Sequence, residues 1–369
     1  MIRIRKVYRR EIPEILNEKA VWDNEFLSVS RHRLLAHYHN PNCADDDIVL
    51  LLGYQNDELL GYMGVFTDYV TLDGNHQKIG WLSTWWVHPK TKGSGIGREI
   101  LNTMYETLDG KIGISQFTPS AKRVYDKSGY FTDLKQNRGI KAVLRSNLVF
   151  VMPALFPWAS KLKRLWRFKD FVINLFVEPR LYFQKAVLKN KLSSIKIEYL
   201  SAPDSECMQL VKALGQHHLS QKTADFFAWM KAYPWVQEAP LLYLTNARDY
   251  EFSMYDSSFA IYMMKVVKAG KCIGFVVLQK RAKVSKLLFA YYEKKDAAII
   301  ADIVKLHAIE TGVREIITYD EPMVAEFKKS FVFLYRTKKV KDSIISKSFG
   351  KTDFSDTYMN FGDGDCSFA

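Results

Sequence analysis

A glycine-rich turn follows a tryptophan-containing apolar segment in the first third of the chain. The sequence passes through Trp85-Trp86-Val87 and Pro89 and then places glycine at positions 93, 95 and 97. Glycines let a ligand approach the backbone, and a helix beginning at such a turn offers unpaired N–H groups and the positive end of its dipole. Lys92 and Arg98 add positive charge at the rim of this turn. The stretch therefore predicts a binding site for a pyrophosphate.

The spacing of these glycines excludes two common nucleotide-binding motifs. The dinucleotide fingerprint requires G-x-G-x-x-G inside a βαβ unit, and neither condition is met here. A P-loop would continue with Lys and then Ser or Thr, whereas Gly97 is followed by Arg98 and Glu99. Because a glycine turn alone is weak evidence, the identity of the ligand depends on a second segment.

That second segment runs from Ala121 to Phe131 and contains Tyr125 and Gly129. Together the two segments resemble the GNAT (GCN5-related N-acetyltransferase) superfamily. Residues 92–97 resemble its acetyl-CoA motif, (Q/R)-x-x-G-x-(G/A), and Val87-x-Pro89 stands where the family often has V-x-P. Residues 121–131 are similar to the family segment A-x-x-(L/V)-Y-x-x-x-G-(F/Y), and the two motifs occur in the family's order.

The resemblance implies an acyltransferase that uses acetyl-CoA as a co-substrate and needs no metal. It further implies direct transfer to an amine, with a backbone N–H near Trp85–Val87 stabilising the oxyanion and Tyr125 protonating the departing thiolate. The residues that it implies for acetyl-CoA binding are Trp85, Trp86, Val87, Lys92, Gly93, Ser94, Gly95, Ile96, Gly97, Arg98 and Tyr125.

Three positions depart from the family pattern. Lys92 stands in place of Gln or Arg, which keeps the charge but loses the planar fork, and Thr118 stands where Asn is often found. The carboxylate that some members carry on the fourth strand is missing, since its usual places correspond to Ser83 or Trp81. The candidate catalytic residues are therefore Tyr125, Ser83 and Asp68, with Asp68 or a water molecule receiving the proton of the amine.

Strand and helix signals predict an α+β fold of two GNAT-like mixed-sheet domains in tandem, with a helical insert between them. Residues 1–147 form the predicted catalytic domain, 148–194 a basic helical insert, and 195–369 a second, degenerate domain. The repeat is indicated by two segments that each follow a turn, one beginning Leu60-Gly61 and the other Ile273-Gly274.

The second half lacks the predicted cofactor chemistry. Its corresponding turn, 291–296, contains no glycine and carries the acidic residues Glu293 and Asp296, which would repel a pyrophosphate. Aligning Ser128 with Ser330 places Phe327 opposite Tyr125, and phenylalanine has no hydroxyl group that could donate a proton. We therefore expect one acetyl-CoA site per chain.

The segment 148–196 is apolar and basic. Between Lys161 and Lys196 the chain has ten basic and two acidic side chains, a net charge of +8 out of +13 for the whole sequence. Seven large apolar residues lie among these charges: Trp158, Leu162, Leu165, Trp166, Phe168, Phe171 and Leu175. We favour packing of this apolar face between the two domains; the alternative is peripheral contact of residues 148–196 with an anionic membrane.

The remaining features limit location and partners. Cys43, Cys207, Cys272 and Cys366 form no CxxC pair, and the N-terminus alternates like a strand, so we expect a cytoplasmic protein with membrane-peripheral contact as its alternative. His37, His39 and Cys43 lack a fourth ligand, and no metal site is predicted.

The expected acceptor is a small-molecule amine rather than a nucleic acid. The tandem size, the basic insert and the acidic-aromatic tail resemble uncharacterised transferases of cell-surface polysaccharide assembly, which implies an amino sugar. An aminoacyl-transferase of the peptidoglycan type and a non-catalytic CoA-binding scaffold are the alternatives.

Overall fold

One continuous mixed sheet of twelve strands organises the protein. The computed structural model describes residues 1–22, 28–72, 74–91, 93–234, 256, 258–350 and 352–365. The strands are β1 (Ile2–Tyr8), β2 (Ile48–Gln55), β3 (Glu58–Leu72), β4 (Asn75–Val87), β5 (Ile112–Ile114), β6 (Phe131–Val143), β7 (Ile195–Leu200), β8 (Ala260–Lys268), β9 (Lys271–Arg281), β10 (Val284–Tyr292), β11 (Glu315–Thr318) and β12 (Tyr335–Ser346). Their order across the sheet is β1-β2-β3-β4-β5-β12-β6-β11-β10-β9-β8-β7.

Eleven α-helices lie in the described residues. They are α1 (Ile12–Ile15), α2 (Lys19–Trp22), α3 (Arg31–Tyr38), α4 (Ile96–Thr107), α5 (Pro119–Ser128), α6 (Leu148–Leu155), α7 (Lys163–Lys191), α8 (Ser205–Leu214), α9 (Ala224–Ala232), α10 (Ala297–Glu310) and α11 (Glu321–Lys329). The α+β class expected from the sequence is confirmed, because helices cover a mixed parallel and antiparallel sheet.

The same order of elements occurs twice. The series β2-β3-β4-α4-β5-α5-β6 is followed later by β8-β9-β10-α10-β11-α11-β12. A glycine explains part of the shared pattern. A Cβ atom on Gly61 would lie 2.9 Å from Ile100 of α4, and a Cβ atom on Gly274 would lie 2.5 Å from Ile300 of α10. In each half the glycine allows the helix to approach the sheet closely.

The last strands of the two halves are exchanged. Strand β12 pairs with β5 of the first half through Ile344↔Ile114, and it also pairs along its whole length with β6. Strand β6 in turn pairs with β11 of the second half. Each half therefore completes its sheet with a strand from the other, and neither sheet has a free edge at this junction.

Helices α6 and α7 occupy the segment predicted to be a helical insert, but the preferred interpretation of their packing was wrong. Of the seven large apolar residues singled out there, Trp166 alone is buried; Phe168 and Phe171, for example, are 64% and 62% exposed. Helix α7 packs through another face, formed by Trp166, Asp170, Val177, Leu181 and Leu188. The description of α6 and α7 as an insert between two domains stays a prediction.

Within the described ranges, the helices do not include one that is both long enough and apolar enough to span a bilayer.

Candidate active site

The site begins where β4 separates from β5. These parallel strands pair at Gly80↔Ile112 and Trp81↔Gly113, and β4 then continues to Val87 without this partner. Beyond the last pair, β4 contains a bulge against β3, and Thr84 adopts φ 49°. A positive φ is unfavourable for a β-branched residue, so the local backbone is strained. The bulge interrupts the regular hydrogen-bonding ladder between β3 and β4 at this point.

The glycine turn lies at the end of β4 and leads into α4. Gly93 and Gly95 adopt φ values of 87° and 85°, and a Cβ atom added to either would meet no atom within 4 Å. Gly95 is the N-cap of α4 and has no side chain to accept hydrogen bonds from the first helical turn. Apart from the Ile96 N–H, which donates to the Ser94 hydroxyl, the N–H groups of this first turn have no side-chain cap and are available to an anion, as the sequence predicts. Lys92 lies outside the described residues.

A cleft of about 430 Å³ joins these elements. Its lining residues are Trp85, Val87, His88, Pro89, Thr91, Gly93, Gly95, Ile96, Gly97, Arg98 and Val124. Seven predicted acetyl-CoA residues are among them, from both the strand and the glycine turn, and Val124 adds helix α5. Ser94 lies in the same turn, where its hydroxyl group accepts a hydrogen bond from Ile96 N at 3.3 Å.

The two adjacent tryptophans face different surroundings. The Trp85 ring lines the cleft, and its buried indole N–H has no hydrogen-bond acceptor among the described residues. A ligand with a carbonyl or amide oxygen would satisfy that donor, so the residues present fit the pantetheine portion of acetyl-CoA. Trp86 instead stacks on Tyr62, with ring centroids 5.4 Å apart. Its ring is therefore not brought to the cleft.

Tyr125 lies one residue from the cleft-lining Val124 and is only 4% exposed. Its ring contacts those of Trp85 and Phe131, each with a centroid separation of 5.3 Å. Burial raises the pKa of the Tyr125 hydroxyl, and the negative charge of Asp365 raises it further. A tyrosine hydroxyl is protonated at neutral pH even at its ordinary pKa, and the upward shift keeps it so; this phenol can therefore donate a proton.

Ser83 and Asp68, the other predicted catalytic residues, do not line the cleft. The Ser83 hydroxyl accepts a hydrogen bond from Nη2 of the buried Arg33 at 2.5 Å. The Asp68 carboxylate accepts hydrogen bonds from Lys222 Nζ at 2.5 Å and from Asn42 Nδ2 at 3.0 Å. Because Asp68 and Lys222 are both buried, each charge compensates the desolvation of the other.

Asp363 lies near this buried pair, with one carboxylate oxygen 3.8 Å from Lys222 Nζ. Its other oxygen accepts a hydrogen bond from the backbone N–H of Asn360 at 2.7 Å. Burial raises the pKa of Asp363 to about 6, although Lys222 opposes the shift. The C-terminal residues are thus packed into the junction between the two halves.

Sequence reasoning missed Asp365, which the same C-terminal segment brings to the opening between β4 and β5. The hydroxyl group of Ser115, the residue after β5, donates a hydrogen bond to the Asp365 carboxylate. The preceding Gly364 lies so close that a Cβ atom there would be 2.6 Å from Ser115 Cβ. A contact between residues 250 positions apart leaves no periodicity or spacing signal in one sequence.

The equivalent region of the second half is built differently. Its β10–α10 turn is a short 3-10 helix, Lys294–Asp296, in which no residue has the positive φ of Gly93 and Gly95. Phe327 is fully buried in the core of that half. Across the part of the chain that the structure describes, no group of three His, Cys, Asp or Glu side chains is placed to hold a metal ion.

Comparison with known proteins shows one family match, in the first third of the chain. Residues 7–130, which include the cleft and Tyr125, match the model of the Acetyltransferase (GNAT) family. No curated protein matches the sequence.

Solved structures resemble the chain over nearly its whole length. A GCN5-related N-acetyltransferase from Anabaena variabilis is 7% identical, with 94% of this chain and 72% of that chain covered and a TM-score of 0.50. One from Kribbella flavida is 10% identical, with 94% and 71% covered and a TM-score of 0.49. A tandem GNAT protein from the clavulanic acid biosynthesis pathway is 10% identical, with 96% and 100% covered and a TM-score of 0.49. At 7% identity the first likeness shows the fold alone. The match of residues 7–130 to the Acetyltransferase (GNAT) family supports acyl-CoA-dependent N-acyl transfer as the general activity, and the likeness to the solved structure adds the shared fold.

Proposed function

We propose that the protein transfers an acetyl group from acetyl-CoA to a small-molecule amine at the cleft beside β4. The observation that carries this proposal is the cleft itself, in which the end of β4, the glycine turn, the start of α4 and helix α5 meet. A bare pyrophosphate site would need only the turn and the helix end. The orphan indole N–H of Trp85 and the protonated Tyr125 add groups that suit a thioester and its leaving thiolate.

The binding roles follow from charge and backbone geometry. The N–H groups at the start of α4 would hold the pyrophosphate, aided by the helix dipole and by the Arg98 guanidinium at the rim. Lys92 keeps its predicted role here on the strength of the sequence alone. The bulge at Thr84 would direct a backbone N–H of β4 towards the carbonyl oxygen as negative charge develops on it.

The transfer forms a C–N bond and breaks a C–S bond, so the amine must lose a proton and the sulfur must gain one. Tyr125 would supply the proton to the sulfur, since its hydroxyl, like that of any tyrosine whose pKa is not lowered, is protonated at neutral pH. The buried ring contacts with Trp85 and Phe131 would hold the hydroxyl in position.

Asp365 is the carboxylate that we propose for the proton of the amine. It is held by Ser115 at the opening between β4 and β5, and its charge is near enough to Tyr125 to affect the pKa of that residue. Asp68 is less suited because it already neutralises the buried Lys222. A carboxylate from the C-terminal segment would thus take the place of the one missing from the fourth strand.

The second half packs against the first beside β3. There Trp229 of α9 stacks on Phe66 of β3 with a centroid separation of 6.0 Å and donates a hydrogen bond to the Ala36 carbonyl at 2.8 Å. We propose that the second half walls the acceptor pocket, and among amines we predict an amino sugar.

A panel of amines incubated with the purified protein and acetyl-CoA tests this function, with release of free thiol and the mass of the product as readouts. The panel should contain amino sugars, nucleotide-linked amino sugars, amino acids and polyamines. Acceptor-dependent thiol release, abolished in Tyr125→Phe, is the expected result. Tight CoA binding without transfer to any amine would favour the non-catalytic scaffold instead.

A further inference from the structure

Helices α6 and α7 present an unusually apolar outer surface. The five aromatic residues Phe168, Phe171, Phe176, Tyr182 and Phe183 of α7 are each between 62% and 77% exposed. The inward-facing residues Trp166, Asp170, Val177, Leu181 and Leu188 are spaced four and seven apart, which places them on one face. The exposed aromatic residues lie on the opposite side of the same helix.

The exposed apolar area of this helix is larger than is usual on a protein surface. Each aromatic side chain offers about 200 Å², so five of them at this exposure leave roughly 600–700 Å² in contact with solvent. Contiguous apolar patches on monomeric proteins rarely exceed a few hundred Å². Helix α6 extends the apolar area with Phe150 and Leu155, and Trp158 follows in the connection to α7. We call the outer side of residues 148–187 the aromatic face.

The aromatic face is held rigidly by polar contacts on its inner side. The Asp170 carboxylate accepts hydrogen bonds from the backbone N–H groups of Leu148 at 2.6 Å and Val149 at 3.0 Å, which caps α6. The Trp166 indole N–H donates to the Ala159 carbonyl at 3.0 Å. On the next turns of α7, the Arg145 guanidinium binds Glu178. The exposure of the aromatic residues is therefore a property of a packed helix pair and not of a frayed segment.

Cations without partners flank the aromatic face at the start of α7. Lys161, Lys163, Arg164 and Arg167 are exposed and form no ion pair with any residue in the described ranges. The first turn of α7 contains no acidic residue, so the positive end of the helix dipole adds to their charge. By contrast, Lys185 and Lys189, near the other end, are paired with Glu310. Free positive charge is thus concentrated beside the exposed tryptophan and phenylalanine side chains.

We propose that the aromatic face docks on an anionic phospholipid surface. Aromatic and aliphatic side chains would enter the boundary between headgroups and acyl chains, while the four unpaired cations meet lipid phosphates and carboxylates. A second copy of the chain is a poor occupant, because self-association would bring two segments of net charge +8 together. A neutral protein partner would bury the aromatic residues but would leave the four cations without anionic partners.

Vesicle flotation tests the proposal on the full-length protein. With phosphatidylcholine vesicles that contain phosphatidylserine, we expect the protein to float at low salt and to float less at physiological salt. With phosphatidylcholine alone we expect it to remain in the soluble fraction. Flotation that is equal with both lipids, or absent with both, overturns the proposal.

Two sets of variants separate the apolar from the charged contribution. Phe168→Ser with Phe176→Ser should abolish flotation, whereas Val340→Ser, which changes an exposed apolar residue on β12, should leave it intact. If the double variant floats like the unaltered protein, another surface binds the lipid. If it instead converts a dimer into monomers in sedimentation analysis, the aromatic face is a protein interface and the proposal is wrong.

The charge variant is Lys163→Gln, Arg164→Gln and Arg167→Gln together. At about 1 kcal/mol for each cation near an anionic surface, the partition coefficient should fall on the order of a hundredfold. The matched control removes three exposed lysines elsewhere, Lys268, Lys338 and Lys339, and should bind nearly as well. Acetyl transfer to a soluble amine should be the same in all these variants, so failure of docking and failure of the proposed reaction remain distinguishable.

Discussion

Replacement of Gly95 by aspartate tests the proposed acetyl-CoA site at the helix end assigned to the pyrophosphate. Gly95 caps α4 and leaves open space where a side chain would stand, so the substitution causes no clash with the rest of the protein. Its carboxylate would lie beside the N–H groups that we assign to the pyrophosphate. It would both repel the ligand and occupy the helix end as an N-cap.

The expected loss of affinity follows from electrostatics. Two unit charges about 6 Å apart in a medium of effective dielectric constant about 40 repel each other by about 1.4 kcal/mol. That energy corresponds to a tenfold weaker Kd, and competition for the N–H groups would add to it. The φ of 85° at Gly95 also costs on the order of 1 kcal/mol once a Cβ is present. This strain lowers the free energy of unfolding and does not by itself change the affinity.

Calorimetric titration with CoA measures the effect, and two variants control for backbone strain. Gly95→Ala carries the same strain without the charge. Gly312→Asp carries the charge at a glycine with φ 67°, also in open space and away from the cleft. We expect Gly312→Asp to bind like the unaltered protein. A folded Gly95→Asp protein with a Kd within twofold of the parent would refute the assignment of the turn.

Four further predictions concern the reaction and the junction of the two halves. Tyr125→Phe should lower kcat roughly 10²–10⁴-fold with the Kd for acetyl-CoA unchanged, and an unchanged kcat would make Tyr125 a packing residue. Asp365→Asn should also lower kcat, while Asp353→Asn in the exposed part of the same segment should not; equal rates would remove Asp365 from the mechanism. Titration should give one CoA per chain, and a second equivalent would contradict our view of the second half. The pKa of Asp363 is raised to about 6 in the folded protein. Ionisation of this carboxyl therefore lowers the free energy of unfolding as the pH rises from about 4 to 6. In denaturant unfolding, the free energy of unfolding of Asp363→Asn minus that of the parent should rise by on the order of 2–3 kcal/mol between pH 4 and pH 7. A difference that does not change with pH would disprove the shift.

The features that could be predicted from the sequence are those specified by neighbouring residues. The turn at Gly93 and Gly95 requires positive φ, which glycine adopts without strain. Helix α5 begins after Thr118, whose hydroxyl accepts the Ala121 N–H, and ends at Gly129 with φ 73°. These local signals specify the ends of the helix that carries Tyr125. The sequence could not show that the Trp86 ring stacks on Tyr62 while the Trp85 ring lines the cleft, because the two residues are adjacent on one strand.

The packing of α7 could not be predicted, because hydrophobicity does not identify the face that a helix buries. Its inner face includes Asp170, which is buried as a cap for α6, while several phenylalanines remain outside. A sequence pattern that counts apolar residues assigns the aromatic side to the interior. The opposite face is buried instead, where Leu181 and Leu188 join a core that includes Ile300 and Val304 of α10.

Because of the strand exchange, the segment that matches the family model lacks elements that the second half supplies. Residues 7–130 contain the glycine turn and Tyr125, yet they end before β6 and contain no partner for the open side of β5. That partner is β12, and the chain that follows β12 carries Asp363 to the buried Lys222 and Asp365 to Ser115. A fragment limited to the first half would expose the edge of β5, lose the counter-ion of Asp68, and lack the carboxylate proposed as base. Under the proposed function, the family motif marks the acetyl-CoA site, whereas the proposed base and the strand that covers β5 lie more than two hundred positions further along the chain.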